Sequence, residues 1–112
     1  MSLNEYFATG PAFERPIFDA VKGYLVTLGP IHIEPVSVGI FIKKGGSFVE
    51  LRPMTKWVAM SFSLPRRIQH RQIARKPIIT GSRVFHIVNV SSPADLTEPV
   101  KGWLAEAYAF AD

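Results

Sequence analysis

The feature that most constrains the fold is a run of alternating apolar and polar residues that two short turns interrupt. Residues 36–43, 47–52 and 56–64 each alternate in this way, and a period of two is typical of a β-strand with one buried face. Gly45-Gly46 and the segment 53–55 separate the three runs, and glycine and proline favour tight turns. The sequence therefore predicts an antiparallel meander of three strands.

Amphipathic patterns on both sides of this meander predict helices. Apolar residues recur at three- and four-residue steps from Phe13 to Leu28 and again from Leu96 to Tyr108, which places them on one face of each helix. Gly29-Pro30 should end the first helix. We also expect a short helical turn at residues 3–8 and a further strand at residues 83–90, where β-branched residues are frequent.

Together these elements predict an α+β fold in which two main helices cover one face of an antiparallel sheet of four to five strands. The length of 112 residues fits one domain, which we expect to span residues 1–112. The opposite sheet face would be partly open. Alternation assigns to that face Gly39, Phe41, Phe48, Arg52, Trp57, Ser61 and Ser63. We expect either the Tyr6-Phe7 segment or a second subunit to cover its aromatic residues, because large exposed apolar patches often mark interfaces.

The composition excludes several classes of site. The chain has no cysteine, so disulfides and cysteine-bound metal centres are excluded. The three histidines lie far apart and lack metal-ligand spacing, and we expect no metal and no cofactor. The most apolar window, residues 17–33, is too short and too polar to span a bilayer. Without a signal-peptide pattern, we expect a cytoplasmic protein with no membrane partner.

Charge is distributed very unevenly along the chain. Ten of the 13 Lys and Arg residues lie between Lys43 and Arg83, and Glu50 is the only acid among them. That stretch carries a formal charge of +9, whereas the overall formal charge is +4. A concentrated field of one sign attracts anionic partners.

The candidate ligand-binding residues combine these cations with the aromatic surface of the meander. Arginine side chains can contact phosphate oxygens at two points, and aromatic side chains on an open sheet can stack with unpaired bases. The alternative is that the basic segment is a solvated loop. The candidates are Arg52, Trp57, Arg66, Arg67, Arg71, Arg75 and Lys76.

Several segments carry a resemblance to a known family. Residues 86–97 and the segment Trp103-Leu104-Ala105-Glu106-Ala107-Tyr108, together with residues 28–31 and 48–53, resemble a small bacterial domain of unknown function. The chain is also distantly similar to YjbR-like and YdhG-like α/β domains, some of which have been suggested to bind DNA on shape analogy. The resemblance implies a fold and assigns no catalytic residue. Glu98-Pro99 departs from the acidic pair expected at that point.

The sequence contains no convincing catalytic motif. Ser61 or Ser63 could form a triad with His86 and Glu50 only by residue type, since no nucleophile elbow surrounds either serine. We therefore expect a non-catalytic binding module with a cationic surface that binds nucleic acid or another polyanion. The alternative is a homodimer-forming interaction domain or a small-ligand domain whose charge only aids solubility.

Overall fold

A computed structural model describes residues 1–111 of the chain. The helices are α1 (Leu3–Phe7), α2 (Glu14–Leu25) and α3 (Glu98–Phe110), and a short 3-10 helix covers Pro93–Asp95. The strands are β1 (His32–Val36), β2 (Gly39–Lys44), β3 (Gly46–Pro53), β4 (Val58–Leu64), β5 (Ile78–Thr80) and β6 (Arg83–Val90).

The strands form one open antiparallel sheet in the order β1-β2-β3-β4-β6-β5. The α+β fold is confirmed, but the predicted number of four to five strands is wrong, because both edge strands were missed. Strand β1 contains Pro35 and lacks clean alternation; a proline is tolerated there because β1 pairs on one side only. Strand β5 is three residues long and follows Pro77 at the end of the irregular basic segment.

The first predicted strand, residues 36–43, is divided between two strands. Val36 pairs with Gly39, so Ser37 and Val38 form a two-residue turn between β1 and β2. Val38 is 57% exposed instead of facing the core. The turn at Gly45 is confirmed, where a φ of 77° suits glycine.

Both long helices contribute to a single core on one side of the sheet. Helix α2 buries Ile17, Phe18, Val21 and Leu25, and α3 buries Val100, Trp103, Leu104 and Ala107. They pack against the same apolar cluster as the inward-facing residues of β2, β3, β4 and β6. Helix α2 is shorter than predicted at its C-terminus, since Val26 already caps it.

The N-terminal segment packs against α2 and not on the open sheet face. Phe7 lies against Phe18 with ring centroids 5.4 Å apart, and the Tyr6 hydroxyl donates to the buried carboxylate of Glu14. The expectation that Tyr6-Phe7 covers the aromatic residues of the open face is therefore wrong. Among residues 1–111, no helix has the length and apolar character that crossing a membrane requires.

Candidate open-face binding site

The sheet face opposite the helices carries three adjoining depressions that all include Ser61. The first, of about 530 Å³, contains Arg52, Ala59 and Arg75. The second, of about 550 Å³, reaches Phe41 and Phe85. The third, of about 570 Å³, is lined by Ser61, Arg75, Lys76, Ile78, Phe85 and Ile87. We call these surfaces together the open face.

Strand register explains why these residues meet. Phe41 pairs with Glu50, Glu50 with Ser61, and Ser61 with Ile87, so one row crosses four strands. Directly paired residues point to the same side of a sheet. In this row Ser61 lies between Glu50 and Ile87, and Phe41 lies beyond Glu50.

The basic segment, residues 65–77, divides its cations between the two faces of the sheet. On the helix face, the Arg66 guanidinium binds Glu106 of α3 at two points, with Nη2–Oε1 at 2.8 Å and Nε–Oε2 at 2.9 Å. The Ile68 backbone N–H donates to His86 Nε2 at 3.0 Å, and His70 contacts the Trp103 ring edge-on. Arg66 thus ties the segment to α3 and does not belong to the open face.

The end of the same segment reaches the open face along β6. The Ala74 backbone N–H donates to the Ile87 carbonyl at 2.7 Å, and Ile73 forms a bridge with Val88. These backbone contacts bring the next two residues, Arg75 and Lys76, to the rim of the depressions. Both side chains are exposed, and neither has a salt-bridge partner among residues 1–111.

Within residues 1–111, half of the ten central cations interact with groups of the protein. On the open face, Arg52 Nη2 lies 3.1 Å from Glu50. Lys43 binds Glu34, and its hydrogen bond and charge lower the pKa of that carboxyl. Lys44 contacts the carbonyl and ring of Tyr108. Arg66 binds Glu106, and Arg83 donates a hydrogen bond to Ser63. Five of the ten cations therefore have a partner in the protein. The continuous cationic stretch of the sequence is therefore not a continuous free cationic surface.

The structure assigns the predicted site residues to different places. Arg52, Arg75 and Lys76 meet on the open face. Arg67 and Arg71 are exposed and line none of the three depressions. Trp57 precedes β4, is half-buried and also lies outside them.

Phe48, which alternation assigned to the open face, is buried on the helix face. Ile42 pairs with Val49 and Lys43 with Ser47, so Phe48 is the extra residue of a β-bulge. It is 2% exposed and packs edge-on against Tyr108 of α3, with ring centroids 5.6 Å apart. A bulge changes the alternation of side chains, and nothing in the local sequence marks its position.

Sequence reasoning missed Phe85, Ile87 and Ile78, which are apolar members of the candidate site. Phe85 and Ile87 alternate with Val84, His86 and Val88, so the same period of two could have assigned them to the open face. Ile78 could not have been found, because β5 itself was not predicted.

The structure separates the groups of the nominal serine–histidine triad. His86 is completely buried on the helix face, whereas Ser61 and Glu50 line the open face. Within residues 1–111, no three His, Asp or Glu side chains come close enough together to hold a metal ion.

Comparison with other proteins places the chain in a family. Curated proteins and solved structures give no significant match. A sequence model of the family described as Domain of unknown function (DUF5655) matches residues 3–111, which is nearly the whole chain. The protein therefore belongs to the DUF5655 family.

Proposed function

We propose that the protein is a non-catalytic binding module that holds a polyanion, with nucleic acid as the partner class, on its open face. The observation that carries the proposal is the position of Arg75 and Lys76. Both are free of salt bridges among the described residues, and both adjoin the half-buried Phe85 and Ile87. Phosphates bind cations, whereas bases require apolar or aromatic contacts, and this surface offers both.

Arg52 extends the same surface toward β3. Its guanidinium contacts Glu50 at a single point and remains exposed, so it retains donors for an anion. The bidentate Arg66–Glu106 pair leaves fewer donors free. We therefore exclude Arg66 from the proposed contacts.

Two charge-matched double variants test this proposal. Arg75→Gln with Lys76→Gln removes two cations from the open face, and Arg66→Gln with Arg67→Gln removes two from the same segment outside the three depressions. Fluorescence anisotropy with a labelled single-stranded oligonucleotide across a salt series measures both. The first pair should weaken binding and reduce the log–log salt slope by about 1.4; the second should change the slope much less. An equal effect of both pairs would refute the open-face proposal, since only total charge would then matter.

One observation favours a second candidate, self-association through β5. Ile78 and Ile79 are 63% and 65% exposed on this edge strand, and exposed apolar edges pair readily with other strands. The neighbouring Arg75 and Lys76 oppose this, because two copies would bring like charges together. Sedimentation equilibrium distinguishes the candidates: a dimer that Ile79→Lys dissociates supports self-association, and a monomer at high concentration refutes it.

We also propose that the family is bacterial and that the protein is cytoplasmic. We further propose a distant relationship to YjbR-like and YdhG-like domains. The suggestion that some of those domains bind DNA agrees with a nucleic-acid partner. None of these points carries the argument from Arg75 and Lys76.

A further inference from the structure

The third depression of the open face combines apolar walls with two cations at its rim. Ile78 and Phe85 are directly paired across β5 and β6, and Ile87 follows on the same side of β6. Arg75 and Lys76 stand at the rim next to these walls. A ligand that fits this depression must therefore carry an apolar or flat group close to a negative charge.

Backbone hydrogen bonds hold the walls and the rim in place. Ser61 and Ile87 are paired in the sheet. The Ala74 N–H donates to the Ile87 carbonyl, and this bond holds the backbone just before Arg75 and Lys76. The relative positions of the apolar and cationic groups are therefore set before any ligand binds, which reduces the ordering cost of binding.

A nucleotide of a single strand has this combination of groups, and a nucleotide within a duplex does not present it. Bases in a duplex are stacked on their neighbours and expose only their edges in the grooves. A base must be unstacked before its face can contact an aromatic ring. Phe85 is half-buried on the sheet surface, so it can meet only a base that leaves its stack.

We propose that this depression binds one unstacked base against Phe85 and Ile87 while its phosphate contacts Arg75 and Lys76. The module then selects single-stranded over double-stranded nucleic acid. This inference rests on the proposed function and specifies which nucleic acid the open face accepts. The second depression, which joins Phe85 to Phe41 past Ser61, gives the strand a path across the sheet toward β2.

Three labelled ligands of equal length test the inference: an oligothymidylate, an abasic oligonucleotide with the same phosphates, and a duplex. We expect the oligothymidylate to bind about tenfold more tightly than the abasic strand at equal salt, because stacking adds to the phosphate contacts. The duplex should bind more weakly than the oligothymidylate. Equal affinity for the oligothymidylate and the abasic strand, or stronger binding of the duplex, would overturn the inference and leave polyanion binding intact. Absence of binding to all three at low salt would refute the proposed function as well.

Phe85 variants provide the second arm of the test. Phe85→Leu should remove the preference for thymidylate over the abasic strand and leave the affinity for the abasic strand unchanged. Phe85→Tyr, which keeps a ring, should retain the preference even if Phe85→Leu proves unstable. Phe13→Leu is the matched control, since Phe13 is equally half-buried but lies beside α2. A preference that survives Phe85→Leu in a folded protein would overturn the assignment of the base to this depression.

Discussion

The Nε2 atom of His86 accepts a 3.0 Å hydrogen bond from the backbone N–H of Ile68, and this bond attaches the basic segment to the sheet. His86 is completely buried and stacks on Phe62, with ring centroids 5.6 Å apart. Because Nε2 accepts, the proton of the neutral ring is on Nδ1. The contact therefore requires a neutral imidazole.

This relationship predicts that the protein loses stability in mild acid. Burial lowers the pKa of His86 below 6.5, and Arg66 and Arg67 act in the same direction; the Val84 carbonyl and Glu106 oppose them only in part. The unfolded chain therefore binds a proton first, so the free energy of unfolding should fall as the pH decreases from 6.5 toward the lower pKa of the folded state. Urea titrations at several pH values measure this.

Variants at two histidines separate this effect from other titrations. His86→Phe should remove that part of the pH dependence and cost about 1–3 kcal/mol at neutral pH, because the buried Ile68 N–H loses its acceptor. His32→Gln, at an exposed histidine, is the matched control. If His86→Phe keeps the full acid dependence of the parent, another group is responsible.

Glu14 should affect stability with the opposite sign. Burial raises the pKa of Glu14 above 4.5, although the hydrogen bond from Tyr6 offsets part of the shift. The folded state therefore retains a proton that the unfolded chain has released, and this contribution to stability is present below pH 4.5 and is lost as the pH rises through the folded pKa. Glu14→Gln should gain stability relative to the parent as the pH rises from about 4 to 7. Glu98→Gln is the matched control, since Glu98 also begins a helix but is exposed; an identical pH trend in both variants would contradict this account.

Gly39 permits the close approach of β2 and β3. A Cβ atom at this position would lie 2.5 Å from the Leu51 carbonyl oxygen, which is backbone and cannot move aside alone. We expect Gly39→Ala to cost about 1–3 kcal/mol of unfolding free energy, as for overpacking in a core. Gly23→Ala, where the new methyl group meets no atom within 4 Å in α2, should instead stabilise by about 0.5–1 kcal/mol. Thermal unfolding of both variants gives the comparison.

Trp103 and Leu25 test the packing of the two long helices. Trp103 stacks on Phe62, with ring centroids 6.2 Å apart, and Leu25 is fully buried. Trp103→Ala and Leu25→Ala should each cost about 2–5 kcal/mol. Melting within a degree or two of the parent protein would show that the helix in question does not pack on the sheet as described.

The parts of the fold that were predicted correctly are those in which one periodicity runs without interruption. The helix stripes and the strand at residues 83–90 are of this kind, and Arg83–Val90 is observed with the predicted bounds. The two edge strands show no such periodicity, although a two-residue turn joins each to its neighbour in the sheet. Strand β1 contains a proline, and β5 is too short to show a period of two.

The site was predicted only in part for a related reason. Arg52, Arg75 and Lys76 were identified by charge, but charge alone could not separate them from Arg66, which Glu106 holds on the other face from 40 positions away. Alternation correctly assigned Phe41 to the open face and failed at Phe48, where the bulge changes the side-chain direction. Long-range contacts decide which cations are free.

The central claim is that the open face is the binding surface, and amide chemical-shift mapping tests it most directly. In a titration of the ¹⁵N-labelled protein with a short oligothymidylate at low salt, we predict that the largest shift changes occur at Ser61, Arg75, Lys76, Phe85 and Ile87. Amides of α2 and of α3 around Glu106 should change little. Changes concentrated at Arg66, Arg67 and α3, with the open-face amides unaffected, would contradict the account.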